Sequence, residues 1–505
     1  MCLLGFAATL VHLARRDAPT YDEPLHFAAG VKAFFEGELS VDPLHPPTLR
    51  TIGVAIAALL GFEPPINLPG AKGNDLVILG SSLLGASGDQ NLFIVRVTVI
   101  TIVLITAWIL FRSLRGLFGP KPSLLILALW STCPTLLAHA HLFTLDAAPA
   151  SLIVLAFVLH LQAARNDSAP TLAWLTLGLA VAGKASLLPF FPIMFVLTTL
   201  HAVTGRFKRR LRAVALGPLL ALVLIWIPYI VLQLKIPLGP PATPITSWLG
   251  QVLSLLPLLP SDLSTGLVGG VSLYKPNAFL LGESYSGGLW YYFPVAIAVK
   301  TQVSVLGASV VAAFVLVRNR PPGVLSHFVM PAFAYLAFLA AGDLNIGIRH
   351  ALVVILFTLT AIGSSLADAG PKVKILITCL AIVGAAETAI QLPHSISFSN
   401  VVAGGYSSTH KYLSDSNVDW GQDAERAVAA ARAEMPGTPA FAYFGTAPPS
   451  SAELVSVTTA IDLITSGDRV VLISYSLLST TDLSPIRPPD RDVGGSIALW
   501  FPPSK

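Results

Sequence analysis

Long apolar stretches separated by short polar turns set the pattern of this chain. Runs at about 92–111, 122–141, 146–163, 170–186, 187–203, 213–234, 302–317, 324–341, 348–366 and 373–391 each approach the roughly 20 residues needed to cross a bilayer as a helix. Residues 1–14 are apolar but short for a span. They lack a basic leading segment, which argues against a cleaved signal peptide and leaves room for a start further upstream. Residues 51–62 are too short to cross easily and are expected to lie at the membrane interface.

The pattern changes beyond about residue 392, where polarity becomes ordinary. Ala424 to Ala433 reads as a helix, and Phe441 to Phe444 and Val470 to Ser474 read as strands. The expected architecture is an α-helical polytopic membrane protein with about eleven transmembrane helices. The membrane domain covers 1–391 with external loops at 16–47, 63–91 and 236–301, and a small α/β extracytoplasmic domain covers 392–505. No solenoid period and no low-complexity tract interrupts it.

Composition agrees with a lipid environment. Of 505 residues, 54% are hydrophobic and 11% charged, against about 25% charged in soluble domains, and the mean hydropathy is +0.72. Basic residues then set the orientation. Arg112, Arg115 and Lys121 flank one turn, and Arg206, Lys208, Arg209, Arg210 and Arg212 another. Arg318 with Arg320 and Lys372 with Lys374 mark two more. Lys and Arg favour the cytoplasmic side, and the expected spans put all these clusters on one face. Arg15 and Arg16 then fall on the other. The non-cytoplasmic face collects the loop with Asp22, the turn at Asp146, the 236–301 loop, the turn from Asp343 to His350 and the C-terminal domain.

Several polar groups on that face are candidates for chemistry. Thr20-Tyr21-Asp22-Glu23-Pro24-Leu25-His26-Phe27 sets two carboxylates at the start of a helix, since Pro24 suits a first turn and Leu25 to Phe35 reads helical. Either acid could simply cap that helix, held ionised by its dipole. Glu23 and His26 have Glu-x-x-His spacing, but no second copy accompanies them, so no metal cage follows. Gly178 to Lys184 resembles a phosphate-binding loop up to Ala185, which stands where a hydroxyl is required; its apolar helical setting rules out nucleotide binding. Lys184 near the outer end of a span either snorkels or meets an anionic head group. His139, His141 and Asp146 cluster at one hairpin mouth, and Asn345, Arg349 and His350 at another, the latter suited to phosphate. Cys2, Cys133 and Cys379 lie in separate apolar runs without ligand-like spacing.

In chain order these residues resemble the GT-C glycosyltransferases that use a phospholipid carrier, such as protein O-mannosyltransferases and lipid A aminoarabinose transferases. The resemblance runs through Asp22-Glu23-Pro24-Leu25-His26 and His45-Pro46-Pro47, then from Pro134 to His139, Asp146 and Lys184. It continues through Leu281-Gly282-Glu283, Trp290 to Pro294, Lys300, Asn345 to His350, and Asp415 to Asp423. Two departures stand out: one extra residue between the acidic pair and His26 relative to eukaryotic mannosyltransferases, and Arg50 as the nearest basic residue after His45-Pro46-Pro47.

The resemblance implies an inverting transfer of a sugar from a polyprenyl-phosphate carrier to an acceptor, a hydroxyl or a lipid, outside the cytoplasm. Asp22 would be the base with Glu23 supporting it. Lys184, Arg349, Arg50 and His45 would hold the donor phosphate, and His26, Asp146, His139, Asn345 and His350 would shape the site or meet the acceptor. Phosphate leaves well, so no acid and no cofactor is required; no ligand set for a divalent cation is legible. Membrane lipids are the surroundings, and nothing points to nucleic acid. A secondary transporter of a polar or anionic solute is the alternative from another class, but it predicts paired repeats and midplane polar groups, whereas here the polar groups gather on one face. A lipid-linked polysaccharide ligase would share the carrier.

Overall fold

The computed structural model describes residues 2–65, 70–85, 90–204, 211–233, 259–272, 277–479, 481 and 486–503. The basic cluster from Arg206 to Arg210, the 236–258 segment of the expected long loop, and parts of the 63–91 loop lie outside the described residues. The chain is mainly helical. Among the described residues six helices are long and apolar enough to cross a membrane: Gln90–Phe118, Ala147–Arg165, Ala185–Thr204, Val214–Gln233, Ile348–Ser365 and Pro371–Gln391. Two bent pairs raise the count to as many as eight: Pro120–Ser131 with Pro134–Ala140, bent by 63°, and Tyr292–Lys300 with Val303–Asn319, bent by 114°. This makes a multi-pass membrane protein. Thr171–Gly183 and Leu325–Ala340, which fill two further expected spans, are shorter.

The breaks have local causes. Pro134 lacks an amide hydrogen and opens a new helix after Cys133, whose extended backbone ends the run before it. At Lys184 the backbone is extended, with φ −152° and ψ 111°, so the expected pair of hydrophobic runs meets in a kinked joint rather than a solvent turn. The helix at Tyr292–Lys300 lies inside the stretch read from sequence as loop, because its nine residues are too few to signal a span.

The loop read as 16–47 carries a helix at Glu23–Val31 that continues as a π-turn over Lys32–Glu36. Two glycines let neighbours close on it. A side chain at Gly80, in helix Asn74–Gly85, would put its Cβ 1.9 Å from the Pro24 carbonyl oxygen. One at Gly30 would sit 2.7 Å from the Arg50 carbonyl oxygen, in helix Thr48–Leu59. Residues 51–62 are thus packed on the site's own helix. Helix Asn74–Gly85 was not foreseen from sequence.

The C-terminal domain is α/β as expected. Strands β1 (Asn277–Leu280) and β2 (Glu283–Ser286) form a hairpin in the preceding loop. Strands β3 (Ala440–Ala442), β4 (Glu453–Leu454), β5 (Val471–Ser474), β6 (Arg491–Val493) and β7 (Ile497–Trp500) make a five-stranded sheet in the order β4-β3-β5-β7-β6. β3 runs parallel to β4 and β5, and β7 antiparallel to β5 and β6. Helices Ala424–Glu434 and Val457–Ser466 bury alanine, valine and isoleucine against it.

This domain carries a pH-sensitive carboxylate. Asp419 is 0% exposed and accepts a 2.9 Å hydrogen bond from the Gly421 amide. Burial pushes its carboxyl up to about 7, from 3.8. The unfolded chain therefore releases this proton before the folded one does, and stability falls as pH rises from about 4 to about 7, by at most about 4 kcal/mol. Asp419→Asn should flatten that slope. Apparent unfolding temperatures at pH 4.5 and pH 8 measure it; equal pH dependence in both proteins would contradict the assignment.

Candidate active site

The site begins with the loop from Asp17 to Asp22, which the C-terminal domain holds in place. The Ala18 amide donates to the Gln422 carbonyl at 3.0 Å, and the Tyr21 amide to the Trp420 carbonyl at 2.8 Å. The Thr446 hydroxyl donates to the Tyr21 carbonyl at 2.7 Å. These bonds deliver Asp22 to the N-terminus of helix Glu23–Val31. The Asp22 side chain makes no capping bond there; it forms an ion pair with Arg349.

Arg349 sits in the 3₁₀ turn Ile348–Ala351, and its guanidinium lies 4.3 Å from the centre of the Trp420 ring. Asn417 fixes that turn by accepting from the Ile348 amide at 2.8 Å. Asp22, Asp146 and Asp415 all act on Arg349 electrostatically. Burial works to raise the Asp22 carboxyl, but Arg349, His26 and His45 together outweigh it and hold the group below the usual range, so it is ionised at neutral pH.

A second pair stands beside the first. Lys184, at the kinked joint, forms an ion pair with Asp146, which begins helix Ala147–Arg165. Both pairs remain open to their surroundings: side-chain exposure is 20% for Asp22, 10% for Arg349 and 13% for Lys184. Snorkelling away from the protein is therefore not what Lys184 does. His139 lies buried nearby and His350 half-buried, each with one ring nitrogen lacking a hydrogen-bond partner. His139 packs edge-on to Trp420 with ring centres 5.8 Å apart.

Glu23 has a different place from the one its position beside Asp22 suggests. It is 0% exposed and faces inward. Arg96 reaches it with Nε at 2.8 Å and Nη2 at 2.6 Å, and the Phe143 amide donates at 2.7 Å. Arg96 also donates to the carbonyls of Ala14, Asp17 and Ala18, at 2.8, 2.7 and 2.9 Å. Burial would raise the Glu23 carboxyl, but Arg96 and the amide bonds hold it low. This cluster is a strut beneath the Asp22 loop.

Arg50 is equally committed. It is 1% exposed, donating through Nη1 to Asp42 Oδ2 at 2.5 Å and through Nη2 to the Asp42 carbonyl at 3.0 Å. A phosphate could reach it only by displacing Asp42. His45 sits 3.1 Å from the same Asp42 oxygen and 4.9 Å, ring to ring, from His26. Asn345 is a positioning group: its Oδ1 accepts from the Leu289 amide at 2.7 Å and the Tyr285 hydroxyl at 3.3 Å. Lys300 holds the carbonyls of Ile396 and Asn417, each at 2.6 Å, and so ties the two domains together.

Sequence reading missed the roles of Arg96, Asp42 and Trp420. Arg96 did carry a signal, being a charge inside an apolar run, where a buried partner is expected.

Known proteins share this fold. The chain has the fold of ArnT from Cupriavidus metallidurans. Against the apo crystal structure the identity is 15% over 97% of this chain and 96% of that chain, with TM-score 0.50. Against the structure bound to undecaprenyl phosphate it is 14% over 99% and 96%, again with TM-score 0.50. A sequence comparison with curated proteins finds no match. The likeness to ArnT is one of fold. More narrowly, residues 78–231 match the family model described as dolichyl-phosphate-mannose-protein mannosyltransferase. That stretch includes Asp146 and Lys184, while Asp22 and Arg349 lie outside it.

Proposed function

We propose that the chain transfers a sugar from a polyprenyl-phosphate carrier to a hydroxyl acceptor at the non-cytoplasmic face, with inversion at the anomeric carbon. The observation that carries this reading is the pairing of two carboxylates with two partly exposed cations, Asp22 with Arg349 and Asp146 with Lys184, Asp22 being itself partly open and Asp146 buried. The structure of ArnT, a protein of the same fold, bound to undecaprenyl phosphate supports a carrier of that type.

A phosphate offers the cations a better partner than a single carboxylate, because several oxygens accept charge-assisted bonds. As Arg349 turns to the phosphate, Asp22 loses the charge that keeps it weakly basic. It then accepts the acceptor's proton while the acceptor oxygen bonds to the anomeric carbon. The bond from that carbon to the phosphate oxygen breaks, and the phosphate leaves with the electron pair, stabilised by Arg349 and Lys184.

Replacing Lys184 or Arg349 by Ala should weaken donor binding about 10- to 100-fold each, the worth of a hydrogen bond to a charged group. Titration of a synthetic polyprenyl-phosphate sugar into purified protein in nanodiscs measures it. If both variants keep wild-type affinity and turnover, the phosphate contacts are misassigned.

Sidedness has its own test. The clusters at Arg112, Arg318 and Lys372 support a C-terminal domain on the far side from the cytoplasm. A phosphatase fused after residue 400 in a bacterial host should be active; an inactive fusion there, with an active cytoplasmic reporter, would reverse the orientation.

A further inference from the structure

Helix Glu23–Val31 and the loop after it bring His26, Asp42 and His45 together, with one ligand atom of each within 4.8 Å of the others. Among the described residues this is the one such group of three. His26 and Asp42 are buried, at 2% and 6% exposure, while the His45 side chain is 33% exposed and gives a path from outside. The polar contacts of the group are few. Asp42 holds Arg50 through Oδ2 and lies 3.1 to 3.2 Å from His45 Nδ1. The buried Nδ1 of His26 has no hydrogen-bond partner. An imidazole nitrogen removed from water and left unpaired costs free energy that a ligand would recover.

We propose that His26, His45 and Asp42 bind a divalent transition cation of the zinc type. Two imidazoles and a carboxylate are the donor set such an ion takes, with a fourth position left open. Nitrogen and oxygen ligands about 2.0–2.1 Å from a tetrahedral ion stand roughly 3.3 Å apart, so the widest separation here must contract by about 1.5 Å. The rotation of half-exposed His45 can supply much of that. The ion would pin the loop from Gly37 to Pro47 onto the helix that Asp22 begins. Arg50 beside Asp42 leaves the bound ion with excess positive charge, which favours an anion in the open position. Binding does not depend on the glycosyltransferase reading and is read without turnover.

The test uses the full chain with a non-histidine affinity tag, purified in nanodiscs, and Zn²⁺ alone as the probe. Metal content after removal of free ion, and competition with a chromogenic chelator, give stoichiometry and affinity. One Zn²⁺ per chain is expected. His45→Ala should lower affinity about 100-fold or more, since even groups behind a ligand are worth 10- to 100-fold. Should that variant fold poorly, His45→Gln keeps a hydrogen bond to Asp42 and must lose the ion as well. His12→Ala, exposed and far along the first helix, should bind like wild type. A wild-type chain that retains no Zn²⁺ overturns the site, as does Zn²⁺ that survives both His45 variants or is lost equally in His12→Ala.

Discussion

Asp22→Asn is expected to lower turnover by about 10²–10⁴, the usual loss when a general base is removed, or roughly 3–5 kcal/mol of barrier. The carboxylate is reachable, faces Arg349, and is held ionised by it. Asparagine keeps the shape and can still accept a bond from Arg349, so the loop pinned by Trp420 and Gln422 should persist. Donor binding should survive or improve, because Arg349 no longer has a competing charge. Turnover of a synthetic polyprenyl-phosphate sugar by folded protein in nanodiscs decides the matter. Wild-type turnover in this variant would move the base to Asp146.

Glu23→Gln should act on the fold more than on the reaction. It would take the Glu23 carboxylate from the buried Arg96 guanidinium, and breaking a buried pair from one side costs about 3–5 kcal/mol. Arg96→Met should be comparably damaging, since it strands the Glu23 carboxylate and frees the carbonyls of Ala14, Asp17 and Ala18. The double replacement, Glu23→Gln with Arg96→Met, should recover part of the loss. Unfolding temperature and yield report stability, and turnover per folded molecule reports chemistry. A Glu23→Gln protein of wild-type stability that has lost turnover would place Glu23 in the reaction after all.

What the sequence determined by itself was the class of molecule and the inventory of its chemistry. Apolar runs of spanning length follow directly from the absence of water in a bilayer core, so most helices were legible from composition alone. The change of polarity beyond residue 392 likewise pointed to the stretch that holds the five-stranded sheet, between Ala440 and Trp500. A charge in such a chain is costly enough that each one had to have a reason, which is why Asp22, Asp146, Lys184 and Arg349 stood out.

The tertiary structure decided which charge meets which. Adjacent residues at a helix start point in different directions, so Asp22 opens to Arg349 while Glu23 turns inward to Arg96. Those partners are hundreds and tens of residues away, and no local spacing encodes them. Arg50 offered the same signal as Arg349 in sequence, yet Asp42 takes it up, because the loop before it folds back onto helix Thr48–Leu59. Trp420 shows the limit most clearly: it lies in the other domain, and only the docking of that domain sets its ring against the Arg349 guanidinium.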